Sequence, residues 1–164
     1  MSAATHNAWL YAVIAISPEK FAYLSGFVVP SQPLIRHCHA AAIGTASGGT
    51  AVFGVDMETS TIRQGLPDLP SAIWAEFSDD AITVPAGQLK GLGGGRIVFE
   101  MDYLPAGDFL RLTASLPKVR FEPVEGLLAR LRKIKTPSEI ALLRRLSRIA
   151  DQAITDALAS AKAG

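Results

Sequence analysis

The sequence has little cysteine and no long apolar run. Cys38 is the single cysteine among 164 residues, so the chain cannot form an internal disulfide and suits a reducing compartment. The longest apolar stretch near the start, residues 8–16, is too short to span a bilayer and lacks the flanks of a signal peptide. We therefore expect a soluble, cytoplasmic globular protein.

An excess of charge of either sign is also missing. The net charge of +1 gives no global argument for binding to nucleic acid or to an anionic membrane. With 49% hydrophobic and 19% charged residues, the chain is not disordered, and its length suits one domain. The balance conceals an asymmetry, because residues 126–164 carry +5 and residues 1–125 carry −4. This change of sign indicates two parts of different origin.

Apolar runs and helical patterns alternate along the chain, which predicts an α/β fold. The segments 35–45 and 50–55 surround a Ser-Gly-Gly turn and are typical of a hairpin, so we expect a mixed β-sheet flanked by helices. The predicted strands are 10–16, 35–45, 50–55, 72–77, 96–101 and 119–123, and the predicted shorter helices are 18–26, 57–64, 81–92, 105–116 and 125–134.

A long C-terminal amphipathic helix is the clearest single element in the pattern. Residues 136–139, Thr-Pro-Ser-Glu, form a capping box with proline at the first helical position. Apolar residues then recur every three or four positions, while Arg144, Arg145 and Arg148 fall on the opposite face. The spacing predicts a helix over 137–162.

The densest cluster of reactive residue types is Arg36-His37-Cys38-His39. His37 and His39 are two residues apart on a predicted strand, so they share one face and could begin a metal site. A closed zinc site needs further ligands, and no second Cys or His pair exists, which favours ordinary strand residues. The functional alternative is that Arg36 and one histidine line a substrate-facing rim.

Other candidate motifs are weaker. The glycine-rich run 91–95 precedes a predicted strand, whereas a phosphate-binding loop follows a strand and opens a helix, so a turn is favoured. Asp79 and Asp80 precede a predicted helix and are typical of N-capping residues. Glu100 and Asp102 end a strand and could meet a ligand, although solvated loop acids are the commoner case.

Several stretches share their residues with one known family. They lie at 17–19 and 23–27, at 96–105 and at 127–140, the last containing Leu-Arg-x-Ile-Lys-Thr-Pro-x-Glu-Ile. Together they resemble the creatinase/prolidase N-terminal domain, and the resemblance covers nearly the whole chain. In that family the pattern at 127–140 joins the N-terminal domain to the catalytic domain.

The resemblance implies a domain at 1–134, followed at 135–164 by a linker and the first helix of a missing catalytic domain. The parent would be a metal-dependent hydrolase with a pita-bread catalytic domain, an Xaa-Pro aminopeptidase, a prolidase or a creatinase. Its two divalent metal ions and its catalytic residues would lie outside this chain. The expected partners are the chain's own catalytic domain and a second subunit in a homodimer, with helix 137–162 as the candidate contact. Neither nucleic acid nor membrane is expected as a partner.

Two other classes of function stay open. One is a stand-alone binding module of the same fold that recognises proteins or peptides. The other is a small α/β enzyme that uses His37 and His39, which would hold a transition metal.

Overall fold

The structure, a computed structural model, describes residues 10–34, 40–90 and 95–161. The chain separates into two compact units, Met1–Gly126 and Leu127–Gly164. None of the helices that the structure describes combines the length and the apolar character needed to cross a lipid bilayer.

The first unit is built on a mixed sheet, which confirms the predicted fold class. In the described residues its strand order is β4-β3-β2-β1-β5-β6. The pairs β1–β2 and β2–β3 are antiparallel, and the pairs β3–β4, β1–β5 and β5–β6 are parallel. The strands are β1 (Leu10–Ala15), β2 (Ala41–Thr45), β3 (Thr50–Val55), β4 (Ser71–Trp74), β5 (Gly95–Phe99) and β6 (Val119–Pro123).

The helices follow the predicted order. A short turn of 3₁₀ helix at Asp56–Glu58 precedes the second of them. The helices are α1 (Pro18–Ser25), α2 (Thr59–Gly65), α3 (Thr83–Leu89), α4 (Ala106–Ser115), α5 (Glu125–Lys133) and α6 (Pro137–Ser160).

Helix α1 begins and ends where its sequence signals predict. The Ser17 side chain accepts a hydrogen bond from the Lys20 N–H, and Pro18 occupies the first helical position. Gly26 ends the helix in the left-handed region with φ of 75°, which a residue without Cβ adopts at little cost. The β2–β3 hairpin is also confirmed, and its turn contains Gly48 at φ of 88°.

Several predicted elements were too long, among them the strand predicted at 96–101, which ends at Phe99, and two show the physical reason. The strand predicted at 72–77 ends at Trp74, because the Asp79 carboxylate accepts the Ala75 N–H at 2.8 Å and the chain turns there. The helix predicted at 81–92 is only Thr83–Leu89 within the described residues, since Asp80 Oδ1 accepts the Ile82 N–H at 2.8 Å and delays the helix start. The first part of the strand predicted at 35–45 lies outside the described residues.

One continuous apolar core lies between the sheet and the pair α3 and α4. It contains a cavity of about 40 Å³ whose lining includes Ile14, Ile43, Phe99, Leu104 and Leu112. The lining is apolar, so the space offers too few polar partners to hold an ordered water.

We expect Leu112→Ala to lower the free energy of unfolding by about 2 to 5 kcal/mol, because it enlarges the cavity and removes buried contacts. Leu112 is 3% exposed, whereas Leu110 on the same helix is 68% exposed. Leu110→Ala is therefore the matched control, with an expected change within about 0.5 kcal/mol. Urea unfolding of both variants measures the difference, and equal losses would contradict this account of the core.

The second unit contains α6, which confirms the predicted capping box. Thr136 Oγ1 accepts the Glu139 N–H, and the Glu139 carboxylate accepts the Thr136 N–H at 2.7 Å. The hydrogen bonds that the Glu139 carboxylate accepts from the Thr136 N–H and hydroxyl lower the pKa of Glu139. The large apolar side chains of α6 are exposed, among them Ile140, Leu143, Leu146, Ile149, Ile154 and Leu158.

Candidate functional site

The polar cluster of the first unit lies at the carboxyl edge of the sheet, between β1 and β5. These strands are parallel neighbours, but the chain continues from β1 to β2 on one side and from β5 to β6 on the other. Open α/β sheets bind ligands in the crevice that such a divergence creates. The side chains in this crevice therefore decide what the edge can do.

The Glu100 carboxylate fills this crevice. Glu100 directly follows β5 and is fully buried. Its Oε2 accepts hydrogen bonds from the backbone N–H groups of Ile16 and Ser17, each at 2.8 Å. Both donors belong to the chain as it leaves β1 and enters α1, where the positive end of the helix dipole also favours an anion.

The second oxygen of Glu100 is neutralised by Lys20. Lys20 Nζ lies 2.7 Å from Oε1 and 3.3 Å from Asp102 Oδ1. Among the described residues Oε1 has no aligned hydrogen-bond donor, so this contact is best described as an ion pair. Burial alone would lower the pKa of Lys20, but the contact with Glu100, aided by Asp102, raises it above its usual value of 10.5.

The described partners of the Glu100 carboxylate all belong to the chain's own fold. Two backbone donors contact one oxygen and the Lys20 ammonium group contacts the other, and the whole side chain is buried. A general acid or base needs to exchange a proton with a substrate at hydrogen-bond distance. In the part of the chain that the structure describes, Glu100 therefore joins chain segments and is not placed to meet a substrate.

A second carboxylate repeats the arrangement one strand further along. Glu125, in the first turn of α5, accepts the N–H of Met101 at 2.5 Å and that of Asp102 at 3.0 Å. The Val124 N–H donates to the Phe99 carbonyl at 3.1 Å beside them. The segments that leave β1, β5 and β6 are thus joined in sequence by two glutamates.

Another buried polar group holds the segment after α1. Gln32 Nε2 donates to the carbonyl oxygens of Ile16, at 2.6 Å, and of Ala40, at 3.2 Å. Glu58 Oε1 accepts the Ser31 N–H at 2.9 Å. Burial would raise the pKa of Glu58, but the hydrogen bonds from Ser31 and Thr61 lower it. The chain is therefore anchored just before and just after residues 35–39.

The structure describes only some of the predicted site residues. Arg36, His37 and His39, the candidate substrate rim, lie outside the described residues, as does Cys38. Asp102 is exposed, as expected of a loop acid, whereas the same expectation was wrong for Glu100. In the chain ranges given above, no group of three or more His, Cys, Asp or Glu side chains could hold a metal ion.

Sequence reasoning missed Lys20 and Glu125. Lys20 stands three residues after the Ser17 cap, so its place in the first turn of α1 was readable. Its partner, however, is 80 residues away, and only the pairing of β1 with β5 brings Glu100 to it. Glu125 could also be placed from the sequence, because it is an acid at a predicted helix start. The sequence does not indicate that its carboxylate would accept the Met101 and Asp102 amides.

Comparison with known proteins gives the class. The family model described as the creatinase/prolidase N-terminal domain matches residues 3–134. The chain therefore belongs to the creatinase/prolidase N-terminal domain family. No curated protein matches the sequence significantly.

Solved structures show the same fold at low sequence identity. A prolidase from Thermococcus sibiricus matches 99% of this chain and 43% of its own length, with a TM-score of 0.78 and 19% identity. A dipeptidase from Pyrococcus horikoshii matches 93% and 41%, with a TM-score of 0.69 and 23% identity. The N-terminal domain of an X-Pro dipeptidase from Streptococcus pyogenes matches 73% of this chain and 86% of its own length, with a TM-score of 0.59 and 16% identity. The chain spans about two-fifths of the first two.

We expect Glu100→Gln to lower the free energy of unfolding by on the order of 3 kcal/mol, because it removes the anion from a buried pair and from two amide donors. Asp102→Asn is the matched control, since it changes the exposed carboxylate of the same cluster, and its expected effect is below about 1 kcal/mol. Urea unfolding at neutral pH compares them. Similar losses for both variants would show that burial does not determine the role of Glu100.

Proposed function

We propose that this chain is the non-catalytic N-terminal domain of a metal-dependent Xaa-Pro peptidase, of the prolidase or aminopeptidase P type, or of a creatinase-like hydrolase. The observation that carries the proposal is the family match over residues 3–134, followed directly by a long helix with exposed apolar side chains. The length of the solved relatives supports it, because the chain spans about two-fifths of the prolidase and the dipeptidase.

In this proposal residues 1–134 form the domain, and residues 135–164 are the linker and first helix of the catalytic domain. The two divalent metal ions and the residues that bind them belong to that catalytic domain. The domain's own contribution is to oligomerisation and to closure of the active site, in the cytoplasm. Arg36, His37 and His39 are the candidate substrate rim, and the hydrogen bonds of Ser31 and Gln32 hold the described chain that flanks them.

A second candidate is a stand-alone protein- or peptide-binding module of the same fold. The family match over residues 3–134 supports it as well, because that match concerns the N-terminal domain alone. The reading frame after Gly164 separates the candidates, because a hydrolase requires spaced Asp, His and Glu ligands there.

The purified 164-residue chain is expected to hydrolyse no Xaa-Pro dipeptide when Mn²⁺ or Co²⁺ is added, because the catalytic carboxylates lie elsewhere. Hydrolysis of Ala-Pro, followed by release of free proline, is the assay, and a full-length prolidase is the positive control. Metal analysis after purification is expected to find no bound transition metal. Turnover would contradict the proposal, and a stoichiometric metal lost in a double His37→Ala, His39→Ala variant would favour the small-enzyme alternative.

We also expect the isolated chain to self-associate through α6, because a continuous apolar stripe in water favours burial against a second copy. Leu146→Glu, on the stripe, is expected to shift the sedimentation velocity distribution to the monomer. Arg145→Glu, on the basic face of the same helix, introduces the same residue and is expected to leave association unchanged. A wild-type chain that sediments as a monomer at 100 μM would refute association through this helix.

A further inference from the structure

Glu125 lies where the chain leaves the sheet for the last time. Strand β6 ends at Pro123, and α5 begins two residues later with Glu125 in its first turn. A carboxylate there commonly stabilises a helix through the helix dipole alone. Here the carboxylate does something more specific, because one of its oxygens accepts two consecutive amides, those of Met101 and Asp102, from the neighbouring strand's exit.

The amides that Glu125 binds belong to a segment that is itself immobilised. Glu100, immediately before Met101, is fully buried and bonded to the exit of β1 and to Lys20. The hydrogen bond from Val124 to Phe99 adds a third link between the exits of β5 and β6. The start of α5 is therefore tied to the centre of the sheet through two successive carboxylates.

We propose that Glu125 is a positioning residue that fixes the point at which the chain leaves the sheet after β6. The hydrogen bonds from the Met101 and Asp102 amides to its carboxylate hold the chain at this point. The charge of Glu125 at the helix start would not be enough to hold it there. If the proposed function holds, the segment positioned in this way is the connection to the catalytic domain, and that consequence rests on the proposed function. The positioning itself is a property of the 164-residue chain.

Two conservative variants separate the two roles of the side chain. Glu125→Gln keeps the length and an acceptor oxygen but loses the charge, whereas Glu125→Asp keeps the charge but is one methylene too short to reach both amides. Glu125→Ala removes both. Glu76→Ala, an exposed glutamate in a turn, is the control for a general effect of losing a carboxylate.

The measurement combines amide exchange with a distance distribution. In a Cys38→Ser background, spin labels at Glu19→Cys on α1 and at Gly126→Cys, exposed in the first turn of α5, report the spread of distances within the first unit by double electron–electron resonance. The expected result is a distribution that widens in Glu125→Ala and Glu125→Asp but stays near wild type in Glu125→Gln and Glu76→Ala. Exchange protection at the Met101 and Asp102 amides should fall about tenfold or more in the Ala and Asp variants.

Two outcomes would overturn the proposal. One is a wild-type distribution in Glu125→Asp together with a wide one in Glu125→Gln, which would assign the role to the helix dipole. The other is an unchanged distribution in all variants despite faster exchange at residues 101 and 102. If Glu125→Ala does not fold, by circular dichroism, the Asp and Gln variants still decide. No readout depends on peptidase activity, so the proposed function is tested separately.

Discussion

The buried carboxylate of Glu100 is the contact on which the centre of this domain depends. A fully buried anion would be strongly unfavourable without partners, yet here two backbone amides and the Lys20 ammonium surround it. Because these partners come from the exit of β1, the two central parallel strands and the start of α1 are held in one arrangement. Removing any partner would leave a charge in a site that excludes water.

The same contact bears on the function that we propose for the domain. The edge between diverging parallel strands is where open α/β sheets place ligands, and in this chain the protein's own side chains occupy it. Glu125 extends the pattern to β6, so the described carboxyl edge joins chain segments to one another. This is consistent with the function that we propose, in which the domain acts through its surfaces and its connection to a catalytic domain.

Much of the fold could be predicted from local signals. The Ser17 cap with Pro18, the stop at Gly26 and the Thr136 capping box act within a few residues, so each is visible in the sequence and confirmed in the structure. The predicted end of β4 and the predicted start of α3 were wrong because local hydrogen bonds replace regular structure there. Asp79 and Asp80 bind backbone amides locally and compete with regular structure, which residue periodicity does not reveal.

The α/β class, the hairpin, the long helix and the family can be predicted from the sequence, because periodicity and short motifs encode them. The role of Glu100 depends on the folded chain, since its partners Ile16, Ser17 and Lys20 lie 80 or more residues away along the sequence. A strand-end glutamate looks the same in sequence whether water or a helix start surrounds it. The order of strands in the sheet, with β1 beside β5, supplies the difference.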